Sequence, residues 1–276
     1  MRLSGPDRAL DLARPVVMGI LNVTPDSFSD GGAYVETERA LDHALAMVEQ
    51  GAWIIDIGGE STRPGADPVD EHEELARVLP VIEALRAHSD VFISIDTIKP
   101  RVMREACAAG ADMINDVMAL RAPGAIEAAR QAKAAVCLMH MQGEPRTMQK
   151  APVYHDVVSD VRSFLDARVS VCRDAGIDDS RICLDPGFGF GKTLEHNLAL
   201  MRHLRSFAED GLPVLVGVSR KSMFVKLHGH DDMDSRIHAS ITAAFWAATQ
   251  GAGIIRSHDV AHTVEALTLA AALADN

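Results

Sequence analysis

Residues 91–117 read VFISIDTIKPRVMREACAAGADMINDV. The stretch opens with a short apolar run, VFISID, and continues through PRVMREACAAG, where the apolar residues recur at helical spacing. It closes with a second short apolar run, ADMINDV. This order predicts a strand, a helix and a parallel strand, which is the unit from which α/β folds are built.

The same alternation extends in both directions along the chain. We count eight short runs that are apolar on both parities, as strands covered on both faces are: 15–21, 52–58, 91–96, 111–117, 134–140, 181–187, 213–219 and 252–258. Segments with helical spacing lie between them, and Asp259 is placed to be the N-cap of the last one. The pattern predicts an α/β fold, a (β/α)8 TIM barrel. An open doubly wound sheet is the alternative, weakened because no GxGxxG follows the first strand.

Length and composition limit the kind of protein this is. The 276 residues predict a single domain, 1–276, in which residues 1–14 form an N-terminal extension. The net charge of −12 argues against a nucleic-acid partner, although local cations and backbone N–H groups can still bind an anion. No run approaches the roughly 20 apolar residues of a membrane span. The four cysteines lack CxxC spacing, so we expect free thiols and a cytoplasmic location.

Polar residues stand where the predicted strands end. In a TIM barrel all these ends open onto one face, where active sites lie, so the pattern predicts a single ligand pocket. Asp96, Asn115 and Asp185 come from three different strands. Two carboxylates and an amide suit a flat heterocycle rich in donors, such as a 2-amino-4-oxo pyrimidine edge. Alternatively, Asp96 and Asp185 are the N-caps of the helices that follow them.

Three positive or titratable residues follow the second and eighth strands. Arg63, Arg256 and His258 suit a phosphate or pyrophosphate group. Pro64 favours an extended Arg63, which supports a binding role over a solvated loop charge. Alternatively, His258 caps or orients the last helix.

The run PGFGFGKT, residues 186–193, resembles a phosphate-binding loop. A Walker A motif would require glycine at position 186, where this chain has Pro186. We therefore expect the glycines to let the backbone pass close to a ligand, with Phe188 or Phe190 as an aromatic wall. Lys221 is expected to donate hydrogen bonds to a carbonyl or ring nitrogen, and a Schiff base is the alternative.

Several longer motifs together resemble the dihydropteroate synthase family of the folate pathway. They occur between residue 16 and about residue 265, in this order: MGILNVTPDSFSDGG, DIGGESTRPGA, SIDT, INDV, MHMQGEPRTMQ, DPGFGFGK, GVSRKS and IIRSHDV. The resemblance implies a TIM barrel that joins 6-hydroxymethyl-7,8-dihydropterin diphosphate to p-aminobenzoate and releases pyrophosphate. It also implies Mg²⁺ as cofactor and a homodimer. The implied chemistry is a dissociative substitution, in which Mg²⁺ and fixed cations stabilise the leaving diphosphate.

The resemblance also implies roles for individual residues. The pterin would be held by Asp96, Asn115, Asp185 and Lys221, and its ring would be flanked by Met139 and Phe190. Asn22 would contact Mg²⁺, and the diphosphate would be bound by Arg63, Arg256 and His258. The p-aminobenzoate site would be shaped by Thr62, Pro64, Phe28, Phe190 and Ser222. The residues implied in catalysis are Asp96, Lys221, Arg63 and Phe28.

The stretch NVTPDSFSDGG, residues 22–32, is the predicted loop after the first strand. The loop begins at Asn22, at the end of the strand. Pro25 stiffens it, and Phe28 is expected to cover the p-aminobenzoate site. Two residues depart from the family pattern: Ala239 stands where glycine is frequent, and Ser257 where valine is frequent. The alternatives in function are a pterin-dependent methyltransferase and a pterin-binding protein without activity.

Overall fold

The computed structural model describes residues 1–24, 32–60, 68–143, 148–149 and 151–274; of residues 32–35 it describes the backbone. Two short strands come first, β1 (Arg2–Ser4) and β2 (Ala9–Asp11). Eight further strands follow: β3 (Val16–Asn22), β4 (Ile54–Gly58), β5 (Phe92–Asp96), β6 (Met113–Asp116), β7 (Ala135–Met139), β8 (Ile182–Asp185), β9 (Leu215–Gly217) and β10 (Ile254–Ser257). Each lies within two residues of its predicted bounds.

These eight strands form a closed parallel barrel. Neighbours follow the order β8-β7-β6-β5-β4-β3-β10-β9, and every pair is parallel. A parallel bridge between Leu184 and Val214 joins β8 to the start of β9 and closes the ring. The predicted TIM barrel is therefore confirmed, and the open sheet is excluded.

Helices cover the outside of the barrel. Those described are α1 (Gly32–Glu49), α2 (Glu71–His88), α3 (Pro100–Ala108), α4 (Ala125–Ala132), α5 (Val157–Asp174), α6 (Leu194–Arg202), α7 (Arg205–Ala208), α8 (Ser222–His228), α9 (Met233–Thr249) and α10 (Val260–Ala274). Outward strand residues such as Ile55, Ile93 and Val136 join the helices in one buried apolar cluster. Among the described residues, no helix is both long and apolar enough to cross a membrane.

The N-terminal extension closes one end of the barrel. β1 and β2 pair antiparallel as a hairpin, with Leu3 opposite Leu10. Leu3, Leu10 and Leu12 are buried in the same cluster as the inward residues at the start of the barrel strands, among them Val16 and Ile54. A strand of three residues is too short to show a recognisable alternation of apolar and polar residues. The sequence therefore predicted an N-terminal extension but not its hairpin.

The inward face of the barrel changes from apolar to polar along the strands. On β5 the inward residues are Phe92, Ser94 and Asp96; on β10 they are Ile254 and Arg256. Cys137 and Cys183 are register partners inside the barrel, and all four cysteines carry free thiols, as predicted. Because parallel strands run in one direction, the polar residues collect at the carboxyl end, opposite the hairpin.

Candidate active site

Strand register brings the predicted polar residues together at the carboxyl end. Asn22 pairs with Gly58, Gly58 with Asp96, and Asp96 with Asn115, so these four positions form one layer across neighbouring strands. Met139 pairs with Asp185 further round the barrel. Asp96, Asn115 and Asp185 are all buried, with exposed fractions of 8%, 5% and 6%.

The carboxylates of Asp96 and Asp185 are not the N-caps of the helices that follow them. Helix α3 has Lys99 at the N-cap position, and α6 has Thr193, whose hydroxyl accepts a hydrogen bond from the N–H of His196. The structure therefore rejects the capping alternative for both residues. Helix capping therefore does not explain why these two carboxylates are buried at the strand ends, and ligand binding remains as the explanation.

Arg256 lies between two buried carboxylates. Its Nε is 2.6 Å from Asp56 Oδ2 and its Nη2 is 2.9 Å from Asp96 Oδ2. The same Asp56 oxygen accepts a hydrogen bond of 3.1 Å from the Asn115 amide. Asp56 is completely buried and connects Arg256 to Asn115. Asp56 was not predicted from the sequence because it stands in the middle of the apolar run AWIIDIG, where the one available signal was a charged residue among apolar ones.

Burial and neighbouring charge shift the pKa values of this group. Burial, reinforced by the Asp56 carboxylate, raises the pKa of Asp96 to about 7. Burial acts to lower the pKa of Arg256, but the carboxylates of Asp56 and Asp96 outweigh it and hold that pKa above its ordinary value. Arg256 therefore stays charged, while Asp96 titrates close to neutral pH.

Lys221 and Phe190 lie together beside Asp185. The Lys221 ammonium donates a hydrogen bond to the backbone carbonyl of Phe188 and stands 4.3 Å from the centre of the Phe190 ring. Burial lowers the pKa of Lys221 to about 8, opposed by the negative charge of Asp185. Phe190 also packs in a small apolar cluster with Met139. Phe188 is fully buried, so of the two phenylalanines only Phe190 is placed to form a wall.

The glycines of PGFGFGKT serve contacts within the protein. A Cβ on Gly187 would lie 1.9 Å from the backbone oxygen of His140, and one on Gly191 would lie 2.7 Å from the backbone oxygen of Gln142. Both have positive φ, of 71° and 62°, which disfavours other residues. At these two positions a close contact with residues 140–142 thus accounts for glycine, and the expected approach of the backbone to a ligand stays a prediction.

His258 and Ser222 lie near the ends of β9 and β10. The backbone N–H of His258 donates to Ser219 Oγ at 3.1 Å, and its Nδ1 is 3.0 Å from the same oxygen. Ser222 is the first residue of α8 and is exposed. The carboxylate of Asp259, predicted to cap α10, accepts two hydrogen bonds from Arg220.

The two departures from the family pattern have local explanations. The hydroxyl of Ser257 accepts hydrogen bonds from the backbone of Asp259 at 3.0 Å and from Thr263 Oγ1 at 2.9 Å. Ser257 therefore ties the end of β10 to the first turn of α10 through bonds that valine cannot make. Ala239 is half-buried and packs against the core from α9.

Four residues named from the sequence, Phe28, Thr62, Arg63 and Pro64, lie outside the described residues. The structure describes the residues on both sides of 61–67, the range that contains Thr62, Arg63 and Pro64. Glu60 accepts a hydrogen bond of 3.2 Å from the backbone of Val69, and Lys99 donates to the same carboxylate at 2.5 Å. Residues 60 and 69 are thus held by one carboxylate at the rim of the barrel.

The oxygens at this rim suit a hard divalent cation. A Cβ placed on Gly58 would lie 3.9 Å from Asn22 Oδ1 and 3.8 Å from Asp96 Oδ2, so both oxygens border the same space. Mg²⁺ takes oxygen ligands and is commonly held by one or two protein oxygens together with substrate phosphates. Asn22 Oδ1 is a donor of this kind, whereas Asp96 Oδ2 already accepts a hydrogen bond from Arg256, so Asn22 is the residue that fits an ion shared with a phosphate-bearing ligand.

Comparison with known proteins agrees with this geometry. A model of the pterin binding enzyme family matches residues 18–258. A dihydropteroate synthase of Escherichia coli strain K12 is 52% identical over 97% of this chain and 94% of its own length. A Xanthomonas albilineans dihydropteroate synthase solved with 4-aminobenzoic acid is 50% identical, with a TM-score of 0.93 over 100% of this chain and 98% of that one. The same organism's enzyme, solved in complex with 7,8-dihydropteroate, is 48% identical, with a TM-score of 0.91 over 100% of both chains. The chain belongs to the dihydropteroate synthases, a family of pterin-binding enzymes.

Proposed function

We propose that this enzyme condenses 6-hydroxymethyl-7,8-dihydropterin diphosphate with p-aminobenzoate, forming 7,8-dihydropteroate and pyrophosphate. The observation that carries the proposal is the meeting of Asp96, Asn115, Asp185 and Lys221 at the carboxyl end of the barrel. The Xanthomonas albilineans relatives, solved with 4-aminobenzoic acid and with 7,8-dihydropteroate, support the same pair of substrates.

Hydrogen-bond complementarity supports a pterin in this pocket. The Asp185 carboxylate would accept from the 2-amino group and ring N–H, and the Asn115 amide has a donor and an acceptor for the same edge. Lys221 would donate to the ring carbonyl or a ring nitrogen. Met139 and Phe190, which share a cluster, would flank the ring.

The diphosphate would lie toward β3 and β10. Arg256 uses two of its guanidinium N–H groups on Asp56 and Asp96, which leaves others that can donate to diphosphate oxygens. Arg63 and His258 would add donors, and Asn22 would hold a Mg²⁺ ion. When bound, that ion supplies a Lewis acid for the leaving diphosphate.

The chemistry we propose is a dissociative substitution. The bond between the exocyclic methylene and the diphosphate oxygen breaks, and the electron pair leaves with the diphosphate. The nitrogen of p-aminobenzoate then bonds to the methylene carbon and releases one proton to solvent. Asp96 would stabilise the cation that develops in between, and fixed cations would stabilise the leaving group. An aryl amine is neutral at pH 7, so no strong general base is needed.

The second substrate would enter from the rim. Thr62, Pro64, Phe28 and Ser222 would shape the p-aminobenzoate site together with Phe190. High identity to dihydropteroate synthases over nearly the whole chain favours this reaction over a pterin-dependent methyltransferase and over a pterin-binding protein without activity.

Turnover by the purified protein tests the proposal. With Mg²⁺ and both substrates, we expect pyrophosphate and dihydropteroate to form in equal amounts, and EDTA to lower the rate because the leaving charge loses its Lewis acid. Calorimetric titration with a dihydropterin that lacks the diphosphate serves as the control for a folded pocket. Pterin binding without any product would overturn the synthase proposal.

We also propose a cytoplasmic homodimer. Trp246 on α9 and Leu269 and Leu273 on α10 are exposed by 46%, 55% and 62%, and these two helices pack against each other. Exposed apolar groups on adjoining helices are typical of an interface. The free thiols fit a reducing compartment.

The dimer proposal predicts the effect of a charge placed on that face. In sedimentation experiments, Leu273→Glu is expected to shift the wild-type dimer to monomer, because a carboxylate would be desolvated in the interface. Trp53→Glu is the matched control: its side chain is 54% exposed and lies at the hairpin end of the barrel. A monomeric wild type, or an unchanged Leu273→Glu dimer, would contradict this assignment.

A further inference from the structure

Lys192 is a buried lysine with an unusual set of partners. The residue as a whole is 2% exposed. The ammonium donates to the backbone carbonyls of Gly187 at 2.8 Å, Phe190 at 3.0 Å and His140 at 3.3 Å, and it lies 3.0 Å from His140 Nδ1. Three backbone oxygens and an imidazole thus surround one positive charge.

Burying an ammonium among neutral groups is unfavourable. Its desolvation is not repaid by a contacting carboxylate among the described residues, and burial lowers the pKa of Lys192 to about 7. His140 is also held neutral, since burial and the nearby Lys192 charge lower its pKa to about 3. An apolar side chain of similar length would avoid this penalty but would remove one hydrogen bond from each of the three carbonyls; that of Gly187 would keep its bond of 3.1 Å from the N–H of Phe190. The lysine side chain is therefore suited to hold these backbone carbonyls in place, as a clamp.

The two segments that Lys192 joins are the end of β7 and the loop after β8. Backbone oxygens of Gly187 and His140 point at the same ammonium from the two sides. The segments approach so closely that position 187 has no room for a Cβ. The Lys192 ammonium therefore bridges the two segments at a point where their backbones are in close contact.

The clamped loop holds three groups that face the pterin pocket. The N–H of Gly187 donates to Asp185 Oδ1 at 2.7 Å, which orients that carboxylate. The carbonyl of Phe188 accepts from the Lys221 ammonium. The ring of Phe190 lies beside the same ammonium. Each of the three is within three residues of a carbonyl that Lys192 binds.

We propose that Lys192 is a positioning residue for the pterin site: it fixes the backbone of residues 187–190 and thereby sets Asp185, Lys221 and Phe190 in place. The inference rests on the proposed pterin pocket and extends it to a residue that makes no contact with the ligand. Its effect is expected mainly on the pterin half of the reaction, because Phe190 is the one residue named for the p-aminobenzoate site that belongs to this loop.

Lys192→Met tests the proposal, with Lys226→Met, an exposed lysine on α8, as the matched control. In calorimetric titration with dihydropterin we expect the Kd to rise about tenfold or more in Lys192→Met, with unchanged stoichiometry, because the pocket groups lose their support. A protein that is merely unstable would show reduced stoichiometry at the same Kd. The KM for p-aminobenzoate is expected to change less than the Kd for dihydropterin, because Phe190 alone of the residues named for that site belongs to the loop.

Hydrogen exchange provides a readout that does not depend on turnover. Amides of residues 187–190 are expected to exchange faster in Lys192→Met than in wild type or Lys226→Met. If Lys192→Met does not fold, Lys192→Gln, which retains two N–H donors, takes its place. Wild-type Kd and wild-type exchange in a folded Lys192 variant would overturn the proposal, whatever the turnover assay shows. Absence of turnover in a wild type that binds dihydropterin would overturn the reaction alone.

Discussion

Arg256→Met is expected to lower the free energy of unfolding by about 3–5 kcal/mol and to reduce turnover to the limit of detection. The substitution removes the cation that neutralises Asp56 and Asp96, whose side chains are 0% and 9% exposed. Breaking a buried ion pair by deleting one partner leaves an uncompensated charge, and such losses are typically of this size. The same side chain is our candidate donor to the leaving diphosphate.

Two further variants separate stability from catalysis. Asp56→Asn combined with Arg256→Met removes one of the two orphaned carboxylates, so it is expected to recover part of the lost stability without recovering turnover. Arg220→Met breaks the half-exposed pair with Asp259 and is expected to cost about 1 kcal/mol or less. Chemical denaturation and pyrophosphate release measure both quantities. An Arg256→Met protein as stable as wild type would show that the network in the pocket is not coupled as its distances indicate.

The second large effect is a pH dependence of stability that originates at Asp96. Its pKa is about 7 in the folded protein against the ordinary 3.8. The folded state therefore binds more protons than the unfolded state between these values. The stabilising contribution of protonated Asp96 is fully present below about pH 4 and is lost as the pH rises through 7. The shift corresponds to about 4 kcal/mol over the whole range.

Comparison of wild type with Asp96→Asn isolates this contribution. Between about pH 5 and about pH 8 the wild type is expected to lose about 2–3 kcal/mol relative to Asp96→Asn, because the other buried carboxyls titrate in both proteins. Asp90→Asn, at a side chain that is 97% exposed, is expected to follow the wild type. Denaturation at a series of pH values gives the difference, and infrared spectra should show a protonated carboxyl band that Asp96→Asn lacks. A constant difference across that range would place the Asp96 titration elsewhere.

The fold was largely predictable because barrel strands carry their signal locally. A strand buried on both faces is a short apolar run whatever its partners are, and eight such runs appear in the chain. The N-terminal hairpin was not predictable in this way. Its strands have three residues each, and only their burial beneath the barrel distinguishes Leu3 and Leu10 from residues of an ordinary surface segment.

Asp56 shows why part of the site escaped sequence analysis. The Arg256 side chain that pairs with it is 200 residues away along the chain. Nothing local to AWIIDIG indicates whether its aspartate faces the barrel interior, a helix or solvent. Barrel closure places β4 and β10 on either side of β3, where Arg256 pairs with Met18 and Asp56 pairs with Ile20, so the Arg256 side chain can reach the Asp56 carboxylate across the barrel.

The sequence by itself determined the strands, their direction and the end of the barrel at which polar residues collect, because these follow from local periodicity and from the topology of parallel strands. Only the tertiary structure decided which polar groups pair with each buried cation. Arg256 between Asp56 and Asp96, and Lys192 among the carbonyls of Gly187, Phe190 and His140, depend on distances across the barrel and on burial. Neither quantity has a local signature, since desolvation and pairing are set by the residues that the closed barrel brings together.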